Sequence, residues 1–565
     1  KKTKFDIINK FSVKDLNLSF NISKNKYSLS QIETVLNNIV IKSPLIQVEE
    51  KKDLYLINGT VLNKNKKIDS KNLKPMFGNL LKDLDLKEIE FSSTNNFSFT
   101  INKKLKFDDL KVETTIDLDQ LTLIEKHLNL EHYLPNFKEE IKFKNHKIKI
   151  DYNKNELTIH GYGDFFLTDK SDQLSYEIIK NNDQFLFNTK TNIKNNPLII
   201  KILDYEKKDK ANSIVSIKGN LKKNGSIKFE SISLKENKNK ILLKDLELNQ
   251  AFKIVDIGSF NIDYKNNKDF YNQLNLKKNN SNFILEGEHI DAVKLINYIM
   301  DNDNESPSIF NKLNTRIDIK IKKTYIDEIN YLINLSGYLN FKNNKIDNLK
   351  LDAVFPNDKK INLIINTNES METTTRLFSD YPKPLIKRYS FIEGFEGGYL
   401  NFNSIKKDNV SNSVLVIDDF KIQEVPIFAK LLSLASLQGI ADILTGEGIR
   451  FTDFEMKLTN QKSLTTIEEM YAIGPAVSIL MDGYIESNKL VSLRGTLVPA
   501  TTINRTISSI PLLGKILVGG KTGEGVFGVS FKVKGPPKDL TTTVNPIKTL
   551  TPRFITRTLE KIKNN

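Results

Sequence analysis

"RIDIKI", Arg316–Ile321, and "INLSGYLNFKNNKI", Ile333–Ile346, are the stretches whose reading decides the fold. In the first, Ile317, Ile319 and Ile321 alternate with Arg316, Asp318 and Lys320; in the second, Ile333, Leu335, Leu339 and Phe341 keep the period of two across Gly337. Alternate residues of a strand share a face, so these residues predict strands with one apolar and one polar side. Asn343-Asn344 then supplies the chemistry of a tight antiparallel turn.

The pattern extends over most of the first four hundred residues. Phe97, Phe99 and Ile101 alternate, as do Leu157 and Ile159, with turns at Asn153-Lys154 and Asn224-Gly225. Four segments share apolar-x-Gly-x-apolar, a polar turn and an apolar return: "INGTVLNKNKKI" from Ile57, "IKGNLKKNGSI" from Ile217, "LSGYLNFKNNKI" from Leu335 and "MDGYIESNKL" from Met481. Stacked hairpins of one kind predict a sheet that grows by adding strands. The expected fold class is mainly β: an elongated, twisted antiparallel β-groove built from repeated hairpins with a few capping amphipathic helices. Helical spacing marks "SLSQIETVLNNIV" around Ile32, "LTLIEKHLNL" around Ile124 and "IDAVKLINYIM" from Ile290. The apolar run Val425–Leu444 contains Pro426, Lys430, Gln438 and Asp442, which argues for a buried or interfacial helix over a membrane span.

A sheet with an apolar face buries it against a second layer, against itself or against an apolar ligand. Two solutions therefore stand: a closed sandwich or barrel, and a curled sheet whose trough holds lipid tails.

Little in the sequence points to chemistry. The net charge of +15 comes from lysines scattered singly among Asn, Asp and Glu, which reads as solvated surface and not as a nucleic-acid footprint. With no cysteine, disulfides, thiolate metal sites and cysteine nucleophiles are excluded. The five histidines, His127, His132, His146, His160 and His289, form no H-E-x-x-H pair, and no G-x-S-x-G elbow occurs. Asp418-Asp419 reads as a turn or a helix N-terminus. The glycine-rich "GKILVGGKTGEGVFG", Gly514–Gly528, has the letters of a phosphate loop, but a helical stripe precedes it and a strand follows. That order reverses what phosphate binding needs. No catalytic, cofactor or metal site is expected, and the chain reads as a non-enzyme.

Every arginine lies at or after Arg316, a shift that hints at two regions. The chain begins "KKTKFDII" without Met, as expected of a processed or truncated product whose N-terminal signal or anchor is not visible.

The C-terminal phrases are more specific. "LQGIADILTGEGIRFTDFEMKL" from Leu437, "YAIGPAVSILMDGYIESNKLVSLRGTLVPA" from Tyr471 and "IPLLGKILVGGKTGEGVFGVSFKVKGPPKDLTTTVNPIKTLTP" from Ile510 resemble the AsmA-like C-terminal region, and in particular bacterial envelope proteins of the YhdP type. The resemblance covers roughly residues 380 to 565 and divides the chain into a repetitive β-groove region, 1–380, and an AsmA-like region, 381–565. It implies a periplasmic protein of a Gram-negative envelope, held at the inner membrane by an N-terminal segment absent from this chain. The implied activity is bridge-like transport of phospholipid toward the outer membrane, with phospholipids, both membrane surfaces and an outer-membrane protein as partners. The glycine stretch becomes a family-typical joint between a helix and the last strands. A scaffold for outer-membrane assembly and a solenoid-type surface adhesin are the alternatives.

On this reading Ile317, Ile319, Ile321, Ile333, Leu335, Leu339 and Phe341 line the lipid groove. At the C-terminus, "TPRFITRTLEKIKNN" places Phe554, Ile555, Leu559 and Ile562 on one side of a helix flanked by Arg553, Arg557 and Lys561. Such a helix either caps the last strands or docks on an anionic membrane or an outer-membrane partner.

Overall fold

The computed structural model describes residues 5–7, 11–36, 39–68, 84–125, 131, 133–181, 184–222, 224–294, 296, 312–386, 393–424, 448–475, 477–487, 489–499, 529–537 and 539–545. They are mainly β, with few helical residues, as the period of two predicts. The chain divides into two compact units, residues 1–278 with 307–311, and 279–306 with 312–565. Residue 380 falls inside the second, between strand Thr373–Ser379 and the short helix Lys383–Ile386.

In the first unit each main strand pairs antiparallel with the next, from Phe11–Ser23 and Lys26–Leu36 through Phe107–Ile124, Glu140–Asn153 and Ser213–Leu221 to Ser259–Lys265 and Tyr271–Asn279. In the second, the antiparallel order runs from Thr315–Tyr325 and Tyr331–Lys342 through Val410–Glu424 to Val529–Gly535 and Thr541–Asn545. The main strands belong to one 31-stranded sheet, and among the described residues no ladder joins the first strand of either unit to its last, so neither unit closes into a barrel. Because sequence neighbours are sheet neighbours, successive turns fall alternately on two long edges.

The repeat glycine has a structural cause. Gly337 has φ 145° and Gly483 φ 146°, and a Cβ there would lie 1.9 Å from the Lys350 carbonyl oxygen and 2.2 Å from that of Ser492. The returning strand approaches too closely for any side chain. Three of the four repeats are hairpins, but the one from Ile57 is not: Leu54–Ile68 is a single strand, whose register against Asp85–Asn102 shifts between Asn63 and Lys66. A bulge absorbs the polar run that elsewhere makes a turn.

Other expectations are corrected. The segment around Ile32 is strand Lys26–Leu36, paired on both sides. Gln31, at φ 50°, interrupts the alternation, so Leu29 and Ile32 acquire a helix-like spacing of three while Ile32, Thr34 and Val35 supply β-branched chains. Leu121–Ile124 closes strand Phe107–Ile124 and is not helical. The segment from Ile290 begins as the end of strand Asn282–Asp291, and only then do Val293, Lys294 and Ile296 turn helical. That turn lies in the crossover 292–314, which makes Asn282–Asp291 and Thr315–Tyr325 a parallel pair and an exception to the antiparallel order. Asp418 and Asp419 lie inside strand Val410–Glu424, with Asp419 at φ 52°, and form neither a turn nor a helix start.

Candidate functional site: a half-covered apolar face

In the second unit, directly opposed residues build one continuous apolar row: Leu285, Ile319, Gly337, Leu351, Leu363, Leu377, Phe402, Leu415, Met456, Met470, Met481, Gly495, Phe531 and Val544. Cross-strand neighbours point the same way, so each strand gives one residue to the row. From Leu285 to Met481 every member is half-buried, and only Phe531 is fully covered. Three consecutive positions are methionines, whose flexible thioethers adapt to irregular apolar partners.

Beside this row lies a closed core, against which Leu377, Phe402, Leu415, Met470, Met481 and Val544 of the row pack and to which Phe531 belongs. Leu400, Ile417, Ala472, Ile479 and Leu497 belong to one buried cluster with Phe395, Phe420 and Phe451. The three phenylalanines stack across adjacent strands, with ring centroids 5.1 and 5.3 Å apart.

The first unit repeats the gradient. Val215, Leu234, Ile241, Ile262 and Leu274 stand opposite one another, and the last four are buried. The parallel row Ile217, Ile232, Leu243, Phe260 and Leu276 is half-buried. A cap formed by residues 194–212 sits at the strand ends on the buried side. Within it Tyr205, fully buried, donates to Glu236 at 2.8 Å, which also accepts from the Lys208 N–H at 3.1 Å. Lys207 donates to the carbonyls of Lys194, Lys208 and Ala211 at 3.0–3.2 Å. Burial, and then the Glu236 carboxylate, raise the Tyr205 phenol above its ordinary value, so it stays a donor.

The opposite face is polar. Lys218, Ser231, Lys244, Ser259 and Lys277 form a row there, and Lys218 pairs with Glu230 at 2.6 Å. Lys228 faces Asp245 at 3.6 Å.

The sequence-predicted groove residues fall as follows. Ile317 opposes Leu339, Ile321 opposes Leu335, and Phe341 opposes Thr315, so these and Ile319 share the apolar face. Ile333 does not share it. Asn334 has φ 55°, and the register against Lys345–Val354 shifts between Ile333 and Ser336. That bulge puts Leu332, instead of Ile333, beside Leu335, Ala353 and Phe355. Arg553, Phe554, Ile555, Arg557, Leu559, Lys561 and Ile562 lie outside the described residues, as do Val425–Leu444, Gly514–Gly528, His127 and His132. The longer apolar row was missed because its members are far apart in sequence. Each nevertheless alternates within its own strand.

One polar ring interrupts the apolar face. His146 is 1 % exposed, its Nε2 lies 3.0 Å from the Asp164 carbonyl oxygen, and its Nδ1 has no partner. It packs near Phe143 and Tyr176, over Gly163. Burial pushes the His146 pKa down, and pushes the Tyr176 phenol up to about 12. Both are therefore neutral and suit an apolar surface. His160 is exposed, 3.7 Å from Glu177. Among the described residues no three His, Cys, Asp or Glu side chains are grouped to hold a metal ion, and no helix is long and apolar enough to cross a membrane.

No protein-family model matches the chain, and no curated protein is similar to it. The AsmA-like likeness therefore rests on the quoted C-terminal phrases alone.

Proposed function

We propose that the chain is a non-enzymatic phospholipid carrier, whose acyl chains lie along the half-covered apolar face. The observation that carries this reading is the unbroken row from Leu285 to Met481, half-buried at every strand. Apolar surface left in water forgoes roughly 25 cal/mol per Å², so a row of this length favours an apolar occupant. Acyl chains need no specific polar ligand, which agrees with a face composed of Leu, Ile, Phe and Met. The AsmA-like phrases add a setting: the periplasm of a Gram-negative envelope, between inner and outer membranes, with attachment through an N-terminal segment outside this chain. An outer-membrane protein partner belongs to the same reading.

The test is mass spectrometry of lipid extracted from the purified chain, repeated on Ile319→Glu. Ile319 stands between Leu285 and Gly337 in the row, where a carboxylate interrupts the apolar surface. The parent is expected to carry phospholipid, and the variant, with an unchanged β circular-dichroism signal, less of it. A folded variant with undiminished lipid contradicts the proposal.

A further inference from the structure

One turn design recurs at four hairpins, Asn102–Lys106, Asn249–Lys253, Asn266–Phe270 and Asn368–Glu372. In each, the Asn N–H donates to the carbonyl of the fifth residue at 3.0 Å, and the fourth residue's N–H donates back to the Asn carbonyl at 2.8–3.0 Å. The Asn Oδ1 accepts from the fifth residue's N–H at 2.9–3.0 Å. The geometry forces the fourth residue into the left-handed region, at φ 56°, 56°, 60° and 60°. Gly, Asn and Asp tolerate that conformation best, and the third turn uses Asp269. The others place Leu105, Phe252 and Met371 there, 81, 55 and 69 % exposed. A bulky apolar side chain held in an unfavourable conformation and largely exposed is not explained by the fold.

Leu105 has the most informative surroundings. Lys103, Lys104 and Lys106 flank it; Asp108 pairs with Lys154 at 2.9 Å, and Lys154, with Lys106 adding to it, holds the Asp108 carboxyl below its ordinary value. Phe107 follows, half exposed, with its ring 4.8 Å from Phe99, which is 5.9 Å from Phe97. An apolar line thus leads from the hairpin tip onto the apolar face, where Phe99 opposes the buried Ile57. By the alternation of strand directions, Phe252 projects from the same edge of the same unit and precedes Lys253. Met371 lies between Glu369 and Glu372 and lacks the cationic setting.

We propose that the hairpin tip Lys103–Phe107 docks on an anionic lipid bilayer. Leu105 and Phe107 enter the interfacial layer, and the three lysines meet lipid phosphates. An apolar point flanked by three lysines, with the nearest carboxylate in sequence, Asp108, already paired to Lys154, matches that surface in both charge and polarity. A protein partner would be expected to leave the lysines facing carboxylates, and vesicle binding separates the two. The inference stands apart from the cargo reading: tip docking is measured by vesicle binding, and cargo by extracted lipid.

The experiment uses the full chain in co-sedimentation with phosphatidylcholine vesicles, with and without phosphatidylglycerol. The parent is expected to bind the phosphatidylglycerol vesicles preferentially. Leu105→Asn, which suits the left-handed turn, should keep or raise the melting temperature, leave copurified lipid unchanged and weaken vesicle binding about tenfold. Neutralising Lys103, Lys104 and Lys106 to Gln should weaken it by roughly fivefold per lysine. Equal binding by Leu105→Asn and parent overturns the proposal, as do equal binding to both vesicle types and absence of binding by the parent. A lowered melting temperature in Leu105→Asn makes Leu105 structural and also overturns it.

Discussion

Two neighbouring regions of the second unit are made from alternating apolar strands of one sheet, and share strands Glu393–Lys407 and Val410–Glu424, yet they are covered differently. Leu400, Ile417, Phe420, Phe451 and Leu497 are 1–4 % exposed, whereas Leu351, Leu363, Leu377, Phe402 and Leu415 are half-buried throughout. Alternation makes both apolar, and only the tertiary setting makes one a closed core and the other its half-covered flank. The contrast teaches that an apolar strand face does not by itself specify its cover. In the first unit the division recurs between Leu234–Ile241–Ile262–Leu274 and Ile232–Leu243–Phe260–Leu276.

The largest expected effect breaks the covered side. Phe451→Ala removes a ring stacked 5.3 Å from Phe420 and should destabilise the second unit by about 3–5 kcal/mol in urea unfolding. Leu363→Ala, on the half-covered row, already has water at its side chain and should lose about 1–2 kcal/mol. Equal losses at the two positions contradict the division between core and trough.

A smaller effect sharpens the same division in the first unit. His146 is buried neutral, with its pKa pushed below the ordinary 6.5 by desolvation. The unfolded chain therefore takes up the proton first as pH falls. The stability this residue contributes is fully present above the unfolded value and is lost as pH drops from about 6.5 toward the lower folded value. The loss reaches up to about 1.4 kcal/mol per pH unit within that window. His146→Leu should flatten the dependence of the urea midpoint there, and an unchanged slope places the titrating group elsewhere.

Much of the fold was legible because strand alternation is local: Ile317, Ile319 and Ile321 reveal their shared face with no knowledge of their neighbours. Bulges were not legible. Asn334 moves Ile333 off the face, and Gln31 gives strand Lys26–Leu36 a helix-like spacing, because both depend on how a partner strand shifts register. The crossover to a parallel pair after Asp291 is equally non-local. The apolar row was legible residue by residue but not as a row, since Leu351, Phe402 and Met470 meet only through pairing. The exposed Leu105 gave no sequence signal, because its meaning comes from a left-handed turn shared with Asp269.

The most direct measurement places a photo-crosslinking amino acid at Leu363 on the half-covered row and, separately, at Ile364, its neighbour on the opposite face of strand Lys360–Thr367. After irradiation in a phospholipid-loaded preparation, the account predicts lipid adducts at Leu363 and few or none at Ile364. Adducts at both positions alike, or at neither in a chain that retains lipid, would contradict an apolar face that holds acyl chains.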